Sequence, residues 1–249
     1  MKKMLITKFE NVLVDSDQTI PISTVISVDD LRRKDYVFSV ISDMEISFVT
    51  FYTHDFNFID YIICMDGSYV YDNENKKVLY DSPLHVDLIK KILKEYSDNK
   101  VTIYTDTTHH MYRGAKRIDF DILKHIKFYK IEVAFKDKKE CLKQVKDIKT
   151  KYIVNTSMRY ENSEYICSIV NPGVSKYEAL KMINKKEKIK LADVTTISNN
   201  YDDLEIIKKV GTSVFSDGGV EEIKDKCDKE TSSNDYLGVE KVIREVLRG

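Results

Sequence analysis

The groups in this chain that could do chemistry are carboxylates and cations scattered over 249 residues, with no clustered motif of histidine and cysteine. Asp15 and Asp17 stand two residues apart, after Val12-Leu13-Val14 and before Thr19. If the apolar triplet ended a strand, one carboxylate could attack an electrophile while the other moved a proton, the division of labour that covalent catalysis needs. In the middle of the chain His109, His110, Arg113 and Arg159 are the side chains suited to a polar ligand. Cys64, Cys141, Cys167 and Cys227 have no paired spacing, which argues against a zinc site or a disulfide framework. Reduced, mostly buried thiols in a cytoplasmic protein are expected instead.

A chain of this length makes one large domain or two small ones, and a 42% hydrophobic share is that of a globular protein. The net charge is -1, with lysines interleaved among acids, so no basic excess is left for a nucleic-acid backbone. The opening MKKMLITKF is too short an apolar stretch for a signal peptide, and no apolar run is long enough to span a membrane.

The elements that must position these groups follow from periodicity. Residues 4–9, 36–41, 61–64, 69–71, 101–104, 131–135, 152–155 and 194–197 read as strands. Residues 23–34, with Ser23 or Thr24 as N-cap, read as a helix, as do 85–96, 136–149, 177–184, 202–210 and 239–247. Asp66-Gly67 marks a turn. Strands alternating with helices at both ends indicate a parallel α/β core.

Residues 4–20, MLITKFENVLVDSDQTI, resemble the opening of the Cof-type haloacid dehalogenase (HAD) phosphatases of subfamily IIB. In the ungapped frame the family's attacking aspartate falls on Lys8 and its acid/base aspartate on Glu10. The Thr-Gly-Arg of the second motif becomes Ser42-Asp43-Met44, which keeps a phosphate-binding hydroxyl and puts a carboxylate where glycine is usual. Cys64-Met65-Asp66-Gly67-Ser68 resembles the turn before the cap. Residues 170–183, VNPGVSKYEALKMI, resemble the third motif and place Lys176 on the lysine that neutralises phosphate. In the fourth motif, GDGxND, the magnesium-binding aspartate becomes Asn199, while Asp202 and Asp203 take the last two places. Gly211, Val220-Glu221-Glu222, Ser233-Asn234-Asp235 and Gly238-Val239 match the closing pattern. A frame with Asp15 as nucleophile competes. Its distance to Ser42 is several residues short, whereas that from Lys8 fits without a gap, so the Lys8 frame is adopted.

The resemblance implies an α/β fold: a HAD-like, Rossmann-type parallel sheet from residues 1–81 and 168–249, with an inserted α/β cap of type IIB from residues 82–167. It implies phosphoryl transfer through an aspartyl intermediate with Mg2+. An ammonium group cannot form an acyl-phosphate, so Lys8 and Glu10 mark a degenerate catalytic pair. Ser42 and Lys176 remain for an anion, and Asp202 and Asp203 for a weak metal site. Two readings of Lys8 stay open: its ammonium has replaced the metal among Glu10, Asp202 and Asp203, or it points elsewhere in a drifted site. The expectation is a catalytically deficient homologue that binds a small phosphorylated or anionic molecule, with no nucleic-acid or membrane partner. The alternatives are an active phosphatase of small phosphorylated metabolites, which would need Mg2+, and a non-catalytic protein-interaction module. No cofactor is certain, and the oligomeric state is open.

Overall fold

Strict alternation of buried side chains in the first strand defines the architecture. Leu5 packs with Val28, Leu31, Val242 and Ile243 on one face of a sheet, while Met4 and Ile6 pack with Ala179, Leu180 and Ile183 on the other. A strand buried on both faces belongs to the centre of a layered α/β sheet. A computed structural model describes residues 2–17, 19–53, 57–113 and 125–248. Its larger sheet has the order β13 (Lys229–Thr231), β12 (Thr212–Ser216), β11 (Val194–Ser198), β1 (Lys3–Lys8), β2 (Tyr36–Ser42), β3 (Tyr61–Cys64), β4 (Tyr69–Asp72), β5 (Lys77–Asp81). Pairing is parallel from β13 to β3 and antiparallel for β4 and β5. Helices α1 (Ile22–Arg32) and α8 (Gly238–Arg248) cover one face and α5 (Lys176–Glu187) the other. From β1 the sheet grows one way through β2 and the other way through β11. The carboxyl ends of β1, β2 and β11 therefore flank a topological switch point, where open α/β sheets hold their ligands.

Between β5 and β11 the chain builds a second, wholly antiparallel sheet: β7 (His109–Arg113), β6 (Lys100–Tyr104), β8 (Lys130–Phe135), β10 (Glu164–Val170), β9 (Asn155–Glu161). Its apolar face (Val101, Ile103, Ile131, Val133, Cys167, Ile169) packs on α3 (Val86–Glu95) and α4 (Lys138–Tyr152). The alternate residues Lys130, Glu132, Arg159 and Ser168 make the polar face. Strand β10 continues to Val170, so the expected boundary at 167/168 falls inside a strand.

Other boundaries move for local reasons. Helix α1 starts at Ile22, directly after Pro21, whose ring fixes the entry, and neither Ser23 nor Thr24 caps it. The segment 152–155 is not a strand, because α4 runs to Tyr152 and stops at Ile153 in the left-handed region, with β9 following from Asn155. The expected helix 202–210 divides into a 3-10 turn at Tyr201–Asp203 and a short α6 (Leu204–Ile207). To the elements read from the sequence the structure adds helices α2 (Ile46–Thr53) and α7 (Glu221–Lys224) and strands β5, β7, β12 and β13.

One glycine links both halves of the larger sheet's crossover. Gly67 closes the β3–β4 turn at φ +92°, and a Cβ there would lie 2.4 Å from the Ser175 carbonyl oxygen. Ser175 is the N-cap of α5, accepting from the Glu178 N–H at 3.1 Å. Gly67→Ala should therefore destabilise by at least about 2 kcal/mol, from left-handed strain plus displacement of the α5 cap. Denaturant melts of the two proteins check this.

Candidate functional site

The strands that end at the switch point deliver its charged side chains. Lys8 is the last residue of β1 and only 4% exposed. The chain then makes one wide turn over Phe9–Leu13, with Asn11 in the left-handed region at φ +57°. Phe9, Val12 and Leu13 go into the core, and Glu10 turns toward β2. Ser42 closes β2; its hydroxyl donates to Glu10 Oε1, and the Asp43 N–H donates to Glu10 Oε2 at 3.3 Å. Past β11, Asn199 to Asp203 form the third edge, and α5 brings in Lys176 as its first residue.

These groups form an alternating lattice of charge. Asp43 lies between two ammonium groups, with Oδ2 at 2.9 Å from Lys8 Nζ and Oδ1 at 2.9 Å from Lys176 Nζ. Lys8 Nζ is also 3.7 Å from Asp202 Oδ1. Lys176 Nζ is 2.5 Å from Asp202 Oδ2, 3.1 Å from Asp203 Oδ1 and 3.8 Å from Asp66 Oδ1. Oxygens of Asp43, Asp66 and Asp202 lie within 4.8 Å of one another, an arrangement able to hold a cation. The Lys176 ammonium is the cation that stands among them.

Burial and neighbours compete at every group. Burial works against the charged form of Lys8, but Asp202 and Asp43 hold its pKa above the ordinary lysine value. Lys176 behaves alike, opposed by burial and raised by Asp202, Asp203 and Asp43. Burial alone would raise Asp43, yet Lys176, Lys8 and Arg159 keep it well below the usual carboxylate range. Glu10 goes up, through burial and then the neighbouring Asp43. Asp202 is pushed up to about 7 by burial and by Asp43, against the pull of Lys176 and Lys8.

The second sheet closes the site from above. Arg159 reaches down from β9 with Nε at 3.7 Å from Asp43 Oδ2 and Nη2 at 3.0 Å from Glu161. Its guanidinium grips Glu132 with both Nη atoms. Lys130 Nζ is 2.6 Å from Glu132 and donates to the Asp43 carbonyl oxygen. Glu132 also accepts from the Tyr104 hydroxyl at 2.7 Å, and although burial opposes its charge, Arg159 and Lys130 hold its pKa down at about 2. The side-chain amide of Asn200 pairs with the Tyr160 backbone in both directions, at 3.0 and 2.8 Å. A polar cleft of about 520 Å3 remains between the sheets, with Lys8, Asp43, Arg159, Tyr165 and Asn199 in its wall.

The structure thus brings together Lys8, Glu10, Ser42, Lys176, Asp202, Asp203 and, from the middle of the chain, Arg159. It leaves out the other middle residues. His109 lies at the sheet edge with Nδ1 at 3.3 Å from Glu45, His110 is exposed, and the Arg113 side chain lies outside the described residues. Asp15 is spent on its own turn, where its two oxygens accept from the Thr19 N–H and hydroxyl, each at 2.7 Å. Asp43 as the centre of the lattice, Asp66, Lys130, Glu132 and Asn200 were not foreseen. A signal existed for two of them: in β8, KIEVAF, Lys130 and Glu132 alternate with the apolar Ile131 and Val133, which marks one polar face on an otherwise buried strand.

Two variants test this lattice. Lys8→Met leaves Asp43 and Asp202 short of a partner and should cost roughly 3–5 kcal/mol near neutral pH. Much of that loss should return in acid, as the stranded carboxylates take up protons; equal denaturation midpoints for the two proteins at pH 7 would contradict the geometry. Asp202 holds its proton more tightly folded than unfolded, so its contribution to stability is full below about pH 4 and is lost as the pH rises to about 7. Asp202→Asn lacks this dependence. The stability of wild type relative to the variant should fall by up to about 4 kcal/mol across that window in denaturant melts.

A family model described as haloacid dehalogenase-like hydrolase matches residues 9–119 and 113–243. Over 81 residues the chain is 38% identical to the stress response protein YhaX of Bacillus subtilis (strain 168), a match that spans 32% of this chain and 28% of that relative. Among solved structures, SMU.1108c from Streptococcus mutans UA159 superposes with a TM-score of 0.84 at 16% identity, covering 100% of both chains. The HAD subclass IIB sugar phosphatase BT4131 superposes with a TM-score of 0.78 at 16% identity, covering 98% of this chain and 99% of the other. Those likenesses carry the fold: a parallel α/β core with a subclass IIB cap. The family match, lying across nearly the whole chain and both sides of the switch-point cleft, makes this protein a member of the haloacid dehalogenase-like hydrolases.

Proposed function

We propose that this protein is a non-hydrolysing member of its family, one that binds a small phosphorylated or otherwise anionic molecule in the cleft between its sheets without turning it over. The observation that carries the reading is Lys8 at the end of β1, buried and 2.9 Å from Asp43. Covalent phosphoryl transfer at that place needs an attacking carboxylate. Lys8 offers an ammonium group, and Asp202 and Asp43 hold its pKa up, so it is not a free amine nucleophile either. Glu10, the remaining carboxyl of the turn, is engaged by the Ser42 hydroxyl and the Asp43 N–H.

Family phosphatases generally use Mg2+, and the trio Asp43, Asp66 and Asp202 favours a second reading, an active metal-dependent phosphatase. The side chains in this chain do not fit the ion. Lys176 Nζ lies 2.9, 3.8 and 2.5 Å from the three carboxylates, and Lys8 Nζ approaches two of them. A divalent ion there would meet two ammonium groups at a few ångströms, a repulsion of several kcal/mol. Among the described residues no helix is long and apolar enough to cross a membrane, and the four cysteines are free, which supports a place in the reducing cytoplasm.

Incubation with Mg2+ and a panel of sugar phosphates and p-nitrophenyl phosphate should release no more inorganic phosphate than Lys8→Met does, while members of the panel raise the melting temperature. Magnesium-dependent turnover by the wild type would overturn the reading, and its abolition by Asp15→Asn would show that Asp15 is the nucleophile. Millimolar Mg2+ or chelator should leave the melting temperature unchanged.

A further inference from the structure

Cations from three separate elements converge on one carboxylate of the chain itself. Lys8 from β1 and Lys176 from α5 each lie 2.9 Å from an oxygen of Asp43, and Arg159 from β9 lies at 3.7 Å. Lys130 from β8 holds the carbonyl oxygen of the same residue. The convergence lies at the switch point, where the geometry of open α/β sheets places ligands, and Lys8, Asp43 and Arg159 stand in the wall of the cleft. Two lysines and an arginine brought from distant parts of a chain to one point form an anion seat. Arg159 and Lys130 have a second anionic partner in Glu132, and Lys8 and Lys176 in Asp202, but the one carboxylate that Lys8, Lys176 and Arg159 all share is that of Asp43.

We infer that Asp43 is a tethered counter-anion: its carboxylate fills the seat in which the phosphate or carboxylate group of a ligand would be held, so that such a ligand binds by exchange with Asp43. The inference deepens the proposed function, since it names what the ligand must displace, and it rests on that reading of the cleft as a binding site. Exchange has a structural consequence. Asp43 belongs to the larger sheet and Arg159 to the smaller one, so an incoming anion takes over one of the charged ties between them. The chemistry selects ligands by what accompanies the anion: a bare phosphate gains only what Asp43 already supplies, whereas an ester with a polar remainder adds contacts along the cleft.

The test uses inorganic phosphate as probe and binding, not turnover, as readout. Phosphate is titrated by calorimetry into wild type, Asp43→Asn, Asp43→Gly and Asp43→Glu, each first shown to melt cooperatively. Removing the resident charge should tighten phosphate binding by roughly a hundredfold in the Asn and Gly variants, as expected for a like charge taken from the seat. Asp43→Glu, which keeps the charge, should stay near wild type. Equal phosphate affinity in wild type and Asp43→Asn, or a folded Asp43→Asn that binds no phosphate, would overturn the inference. If Asp43→Gly does not fold, the isosteric Asn variant carries the comparison. In wild type, the side-chain carboxyl carbon resonance of Asp43 gives a measurement free of mutation: it should shift as phosphate reaches high millimolar concentrations, and phosphate binding that leaves it unmoved would also overturn the exchange. Should the wild type prove to hydrolyse phosphoesters while the Asn variant gains phosphate, the proposed function fails and the exchange stands.

Discussion

Burying several carboxylates at one point is the constraint on which this site depends. Asp43, Asp66, Asp202 and Asp203 come together because three parallel strands end there and α5 starts there. Like charges at such distances, cut off from water, repel by several kcal/mol unless cations are interleaved. Lys176 and Lys8 are those cations, each touching at least two of the acids. The compensation is incomplete, and the excess appears in the directions of the shifts: Asp202 moves up to about 7 and Glu10 also rises, while Asp43, 2.9 Å from each of the two lysines and faced by Arg159 as well, goes down. A related site with an aspartate at position 8 would carry one more negative charge in place of a positive one. That change of two charges is what the proposed reading of the site, as one that holds no metal, rests on.

The same lattice joins the two sheets. Arg159 and Lys130 are at once members of the polar face of the smaller sheet and partners of Asp43 on the larger. Glu132 holds both in place, and its low pKa shows how strongly they act on it. The paired hydrogen bonds of Asn200 to Tyr160 add a neutral tie of defined geometry a short distance away. The ties between the two sheets thus include the charged floor of the cleft, through Arg159 and Lys130 to Asp43.

Much of the fold was legible because it rests on patterns of one or two residues. The alternation in β1 and β2, the Asp-Gly turn and the run from Gly173 to Leu180 all report local conformation, and tertiary packing had nothing to override. The boundaries that moved did so at single residues: Pro21 set the start of α1, and Ile153 ended α4 in a conformation that its β-branched side chain disfavours. At the site, Lys8, Glu10, Ser42, Lys176, Asp202 and Asp203 could be named in advance because the segments that carry them resemble the family's motifs. Asp43 was visible as an unusual residue, but its role was not, since that depends on Arg159 and Lys130 arriving from more than eighty residues away. His109 and His110 misled for the opposite reason: a polar residue on a strand reads the same whether it faces the cleft or the edge.

Of the two open readings of Lys8, a side chain pointing elsewhere in a drifted site does not fit its burial, and the other is met only in part: its acidic partners are Asp43 and Asp202 rather than Glu10 and Asp203, and Lys176 is the cation among Asp43, Asp66 and Asp202. A drifted lysine in a failed site would take its long side chain to solvent, because burying an unpaired ammonium is costly and the four-carbon stem is flexible. Lys8 does the reverse, staying buried between Asp43 and Asp202. Its partner Asp43 is itself an unusual residue at the end of β2, and each makes the other tolerable: without Lys8, Asp43 would add to the acidic excess, and without Asp43, Lys8 and Lys176 would face each other across the seat with Asp202 as the acid between them. The pair is therefore interdependent in charge. An aspartate at position 8 alone would set a carboxylate against Asp43, so the residue that is tolerated at either position depends on the charge at the other.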